Sequence, residues 1–211
     1  VFRTGTVRSH HLTFSVGNEF IKYSISGSNF DQDGVIRPTN FKRNNARVNL
    51  DLEATDNLSF GTSITYSNSS RNRVRNNDNI TGVLGGVYFY PTNLPVYQQD
   101  NSYTKFSIFE NPVAAVEEVD FDMSVNRLIG NVFGEYEFTP GLTFRTSWSY
   151  DYNQVSEERY NNTFTNEGSA VNGSALATTA LSNNWTVENT LNYLFNIDNH
   201  NFSVLLGTSI Q

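Results

Sequence analysis

Four carboxylates, Asp56, Glu135, Asp151 and Glu188, are the side chains best suited to bond-breaking work. Glycoside hydrolysis runs on two carboxyl groups held about 5–9 Å apart across a bound sugar. Nothing in their spacing pairs them in this way, and a polar sheet lining accounts for them more simply. Asp31-Gln32-Asp33-Gly34 resembles the start of a calcium loop, but Asn40, Phe41 and Lys42 follow where further acids and a closing Glu are required. An Asx/Gly turn is the simpler reading. The acidic run Glu117-Glu118-Val119-Asp120-Phe121-Asp122 and the pair Glu157-Glu158 suit a solvated loop or a loosely held cation. His10 and His11 are adjacent, so on a strand they point to opposite faces and cannot share a metal. No nucleophile elbow, phosphate loop or dinucleotide fingerprint occurs. The chain has no cysteine, which excludes disulfides, thiolate–zinc sites and thiol catalysis. No catalytic residue, cofactor or metal is expected, and the chain does not read as an enzyme. Several Asn-x-Ser/Thr triplets occur, among them those at Asn68, Asn79, Asn161, Asn172 and Asn184, as chance provides in a chain with 29 Asn.

The remaining candidates are binding groups. The stretch Tyr88-Phe89-Tyr90-Pro91-Thr92-Asn93-Leu94-Pro95-Val96-Tyr97 places Tyr88, Tyr90 and Tyr97 on an otherwise polar loop. Such rings stack on sugar faces or close over a ligand, or else they pack the loop against its own wall. A net charge of −7 and a pI near 4.9 speak against nucleic acid as a partner.

Strands must position these groups. In 142–153 the even positions Leu142, Phe144, Thr146, Trp148, Tyr150 and Tyr152 are nearly all apolar, and the odd positions Thr143, Arg145, Ser147, Ser149, Asp151 and Asn153 are all polar. Segments 58–67 and 184–195 repeat the pattern. Eight strands are expected, at about 10–16, 21–30, 41–53, 58–68, 124–138, 142–153, 184–195 and 202–210. The fifth is the noisiest, because Ile129 and Phe133 fall on its polar face. Tight turns at 17–20, 54–57, 139–141 and 196–201 alternate with longer connections at 31–40, 69–123 and 154–183. A three-residue turn Thr139-Pro140-Gly141 sets Phe138 opposite Leu142, Val132 opposite Trp148, Glu135 opposite Arg145, and Gly130 under the Tyr150 ring.

Mean hydropathy is −0.44, and no run approaches a membrane helix. A transmembrane barrel scores as polar for the same reason that its strands alternate. The polar face is rich in Ser, Thr, Asn and Gly, while aromatics gather toward the ends of the apolar face (Phe20, Tyr66, Tyr150, Tyr152, Phe202). Short turns at one end and long loops at the other complete the layout of an outer-membrane barrel. The expected fold is all-β: an antiparallel up-and-down transmembrane barrel segment of about eight strands, with short periplasmic turns and long extracellular loops. Arg47, Asp51, Arg127, Glu135, Glu137, Arg145, Asp151 and Glu188 then face the lumen. The alternative from another class is a secreted β-sandwich, a carbohydrate-binding or adhesin module. A self-contained small barrel is a third reading. The chain opens mid-pattern at Val1, as a segment of a longer polypeptide would.

Four stretches add a resemblance. "VFRTGTVRSHHLTFSVGNEFIKYSISGSNFDQDGVI", "FKRNNARVNLDLEATDNLSFGTSITYSNS", "PTNLPVYQQDNSYT" followed by "ENPVAAVEE", and "FTPGLTFRTSWSYDY" resemble the SusC/RagA class of TonB-dependent outer-membrane transporters of Bacteroidetes. The resemblance implies that residues 1–211 are part of a larger, 22-strand barrel domain, with the plug and the TonB box outside this chain. It implies import of an oligosaccharide or peptide, energised through TonB, with a SusD-like surface lipoprotein over the extracellular mouth. The choice between glycan and peptide does not follow from it.

Overall fold

The computed structural model describes residues 1–75 and 82–211. Asn79, one of the sequon residues, lies outside the described residues. Eight strands form one antiparallel sheet in strict chain order: β1 (Val7–Gly17), β2 (Ile21–Asp33), β3 (Asn40–Thr55), β4 (Leu58–Asn72), β5 (Val119–Thr139), β6 (Leu142–Asn161), β7 (Ser174–Ile197) and β8 (His200–Ile210). Among the described residues β1 pairs only with β2 and β8 only with β7, so the sheet is an open, curved wall. No described helix is long and apolar enough to cross a membrane; strands are another matter.

Side chains opposite one another on paired strands share a face. The register therefore carries one apolar row across the whole sheet. Val16 faces Tyr23, which faces Leu50, then Thr62, Val132, Trp148, Val187 and Ile210. Thr62 interrupts the row without harm, because its hydroxyl donates to the Asn131 carbonyl at 2.9 Å. No second layer covers this face among the described residues: Leu12 is 78% and Trp148 62% exposed. That arrangement contradicts a sandwich, whose apolar faces must meet each other.

Aromatics close the apolar band at both ends. On the turn side Tyr193, Phe195 and Phe202 stack in series at 4.9 and 5.2 Å, and Tyr136 meets Phe138 edge-on. On the loop side the Tyr66, Tyr150 and Tyr152 hydroxyls donate to Asn126, Asn183 and Gln154 at 3.0, 3.3 and 3.0 Å. Between Leu142 and Tyr152 the band runs about 33 Å along the strand, or about 25 Å of height at a tilt near 40°.

The strands outrun the expected limits, chiefly on the loop side. β5 starts at Val119 rather than 124, β6 continues to Asn161, and β7 begins at Ser174. The expected loop 154–183 is mostly hairpin, and its irregular part shrinks to 162–173. The cause is that the alternation fails there, and on β5 changes sides. Past Asn153 the outward positions turn polar (Gln154, Ser156 and Glu158, opposite Asn126, Ser124 and Asp122). On β5 the inner positions turn apolar, with Val125, Met123, Phe121 and Val119, whereas on β6 only Val155 does so before Glu157, Arg159 and Asn161. A period read in fixed phase ends where the phase is lost, although the backbone ladder continues.

Two local expectations are corrected. Thr139, not Phe138, faces Leu142, because a bulge between Glu137 and Thr139 tightens the turn to Pro140-Gly141; Gly141 supplies the positive φ of 87° that the turn requires. The Tyr150 ring does not cover Gly130, where a Cβ would meet only Ile64 at 3.9 Å. The covered glycine is Gly61: a Cβ there would lie 2.3 Å from the Phe133 ring. Phe133 thus breaks the polar pattern of its face because it lies across a bare backbone, with the Arg145 guanidinium 3.8 Å over the same ring.

Candidate functional site

The charged residues expected on one face do share it. Arg127 grips Asp151 with two bonds of 3.1 and 2.7 Å. Arg145 meets Glu135 at 3.2 Å, the cross-strand pair anticipated from the turn. Arg47 reaches Asn49 at 3.1 Å and Ser63 at 3.4 Å, within a ladder that also joins Asn49 to Ser24. The four candidate carboxylates are not all brought together, although Asp56 and Glu135 line one open concavity at the turn rim. Asp151 and Glu135 are each held by an arginine, Glu188 faces Ser147 two strands from Glu135, and Asp56 lies in the β3–β4 turn. Asp33 ends in a closed turn, where Arg3 pairs with it at 3.0 Å and also donates to the Gly34 and Thr39 carbonyls. That geometry leaves no calcium loop.

The long connection between β4 and β5 folds into a unit of its own. It holds α1 (Val83–Phe89) and the single turn α2 (Ala114–Glu117); α3 (Asn166–Val171) comes from the β6–β7 tip. Val83, Ala115 and Val116 form its core, packed against Val1, Ile36 and Val74. Buried polar groups tie it to the tip. Glu110 accepts the Asn166 N–H at 2.6 Å, and Asn166 Nδ2 donates to the Phe109 carbonyl at 3.1 Å. Glu167 receives both Arg159, at 2.6 Å, and Arg75. Arg73 pairs with Glu157 at 2.7 Å and lies over the Phe121 ring.

The three candidate tyrosines have three different surroundings. Tyr88 is 80% exposed on α1. Tyr90 donates to the Thr104 carbonyl and packs edge-on against Phe106, so it holds the loop together. Tyr97 pairs with Tyr103 across an isolated bridge, their rings 5.2 Å apart, and both hydroxyls donate to Glu117 at 3.3 and 3.0 Å. Tyr103 also meets Glu118 at 3.0 Å. Burial and these two carboxylates push the Tyr103 hydroxyl well above the ordinary tyrosine range, so it stays a donor. The acidic run is thus partly spent on tyrosines. Among the described residues no group of three metal-binding side chains converges.

Sequence reasoning missed Glu110, Asn111, Asn166 and Glu167. Their partners lie as far off as Arg75 is from Glu167, across most of the loop and two strands, and nothing local marks them. Glu110 is only 4% exposed. Burial raises its carboxyl above the ordinary value near 4.5, against the pull of the Asn166 and Asn111 N–H groups. A folded-state value above the unfolded one gives stability that is complete below the ordinary value and lost as pH rises through the raised one. Protection of the loop amides against hydrogen exchange, corrected for intrinsic rate, is therefore expected to rise between neutral pH and about pH 5. The gain should vanish in Glu110→Gln; an equal gain in that variant would contradict this assignment.

An apolar band across all eight strands, tight turns at one rim and folded connections at the other make this the wall of an up-and-down barrel of the outer-membrane type. The comparisons agree over the whole length of the chain. It is 30% identical over 220 residues to TonB-dependent receptor P3 of Formosa agariphila, covering 100% of this chain and 22% of that protein. It is 28% identical to TonB-dependent receptor SusC of Bacteroides thetaiotaomicron, over 72% of this chain and 17% of SusC. Among solved structures, the RagAB peptide importer in its closed-closed state matches 98% of this chain and 24% of its own, with a TM-score of 0.78 at 21% identity. The open-open state gives 0.77. No family model matches. The chain spans about a fifth of the length of the receptors it matches. The likeness to the SusC/RagA class of TonB-dependent receptors is therefore shown, and the RagAB likeness shows the same fold.

Proposed function

We propose that residues 1–211 are part of the barrel domain of a TonB-dependent importer in the outer membrane of a Gram-negative bacterium. The apolar band that crosses all eight strands at one height carries this reading. A bilayer offers its interior no hydrogen-bond partners, so the open edges of β1 and β8 call for further strands of the same ring. Outer-membrane lipid covers the band, and the face bearing Arg47, Glu135, Arg145 and Asp151 lines the lumen. The folded loops stand at the extracellular mouth. There the cargo, an oligosaccharide or a peptide, and a SusD-like lipoprotein find their contacts. TonB acts through parts outside this chain. The wall contributes shape and surface, with no bond-making step.

Spin labels placed singly at Val132 and Ser147 of the complete protein in lipid nanodiscs test the faces. The Val132 label is expected to collide with oxygen dissolved in lipid, and the Ser147 label with a water-soluble nickel chelate. Equal water access at both sites would end the membrane reading.

A further inference from the structure

Residues 96–104 form a small hairpin within the β4–β5 loop. Gln98 N–H donates to the Ser102 carbonyl at 2.8 Å and Thr104 N–H to the Val96 carbonyl at 3.0 Å, with Asn101 left-handed at the tip. Asn111 Nδ2 clamps its base, donating to the Val96 carbonyl at 2.9 Å and the Thr104 carbonyl at 3.2 Å. One Asp100 carboxylate oxygen accepts both the N–H and the hydroxyl of Ser102, at 3.0 and 2.6 Å. These bonds fix the hairpin from within. The second Asp100 oxygen and the side-chain amides of Gln98 and Gln99 keep no hydrogen-bond partner among the described residues. Tyr97 is held by Tyr103 and Glu117, yet its side chain stays 45% exposed. With Pro95, these four residues line an open groove of about 710 Å³.

We propose that this groove is a carbohydrate subsite. The exposed Tyr97 ring stacks on the C–H face of a neutral pyranose, and Gln98, Gln99 and the open Asp100 oxygen bond the hydroxyls around its edge. A sugar ring presents one apolar face rimmed by hydroxyls, and the groove offers one ring rimmed by two amides and an acceptor. No lysine or arginine lines it, and Asp100 repels anions, which disfavours sulfated or acidic sugars. Because the hairpin is already rigid, little ordering remains to oppose a weak ligand. This assignment deepens the importer reading by naming the ligand class of one mouth loop, and it rests on that reading.

The test is calorimetry on the complete protein in detergent, titrated with maltohexaose, cellohexaose, xylohexaose and mannohexaose, and with the peptide Lys-Tyr-Lys. At least one hexaose is expected to bind. Tyr97→Ala should weaken it about tenfold and Asp100→Asn about fivefold. Gln99→Ala, at the hairpin tip with no internal bond, should weaken binding without loosening the hairpin, and Tyr88→Ala should leave it within about twofold. No hexaose binding, binding indifferent to Tyr97, or Tyr97-dependent capture of the peptide instead would overturn the assignment. Titration in detergent needs no import. Tyr97-dependent sugar binding without uptake by cells therefore upholds the subsite and counts against the importer; uptake without such binding does the reverse.

Discussion

Arginine at Val132 is expected to keep the complete protein from assembling in the outer membrane, while arginine at Ser147 leaves assembly intact. Both residues sit in the middle of paired strands, and they differ only in face. Val132 lies between Thr62 and Trp148 on the apolar row and is half exposed to whatever covers the sheet. If that is hydrocarbon, a guanidinium there costs about 2–4 kcal/mol near the midplane, a large share of the stability of any barrel. Leu191, opposite Phe144, stands nearer the turn-side rim, so Leu191→Arg should cost less, in the same direction. Ser147 looks to the other side, between Phe133 and Glu188, where an added arginine gains a carboxylate neighbour. Heat-modifiable migration on gels reads assembly, and urea titration in detergent reads the cost. Similar tolerance at Val132 and Ser147 would sink the membrane assignment and the faces together.

The second large effect is local. Glu167→Ala should open the folded loop while the sheet stays intact. One carboxylate holds two guanidiniums there, Arg75 from the connection just past β4 and Arg159 from β6. Without it, Arg75 and Arg159 repel one another in a pocket where the Arg75 side chain is only 13% exposed and Glu110 remains as an attractive charge. Removing one partner of a fully buried pair costs roughly 3–5 kcal/mol; Glu167 keeps 36% of its side chain in water, which lowers the expectation to about 2 kcal/mol. That change raises the open fraction of the loop about thirtyfold. Hydrogen exchange across residues 106–117 should speed up accordingly, with the β5 and β6 amides of the apolar band unchanged. Protection equal to the wild type would show that the apolar core of Val83, Ala115 and Val116 holds the loop unaided.

The two predictions draw on different layers of information. The faces behind the first are legible in the residue order, because side chains on a strand alternate with period two and a turn of known length fixes which residues meet. Glu135 opposite Arg145 and Val132 opposite Trp148 follow from that arithmetic alone. All eight strands are legible for the same reason, as are the tight turns between them.

Packing between distant segments takes over where the pattern ceases to be local. Past Asn153 the alternation fails while the ladder continues, which hid nearly half of β6 and the first ten residues of β7: β5 changes its apolar side, β6 carries Glu157 and Arg159 inward, and β7 sets Ala, Thr and Leu on both faces. Phe133 departs from the local pattern because Gly61, on the neighbouring strand, lies beneath its ring. Glu110 with Asn166, and Glu167 with Arg75 and Arg159, join segments that no sequence window contains. Residue order sets what each strand can bury. Only the closed contacts between distant segments decide which polar side chains are spent within the fold and which, like those around Tyr97, are left for something else.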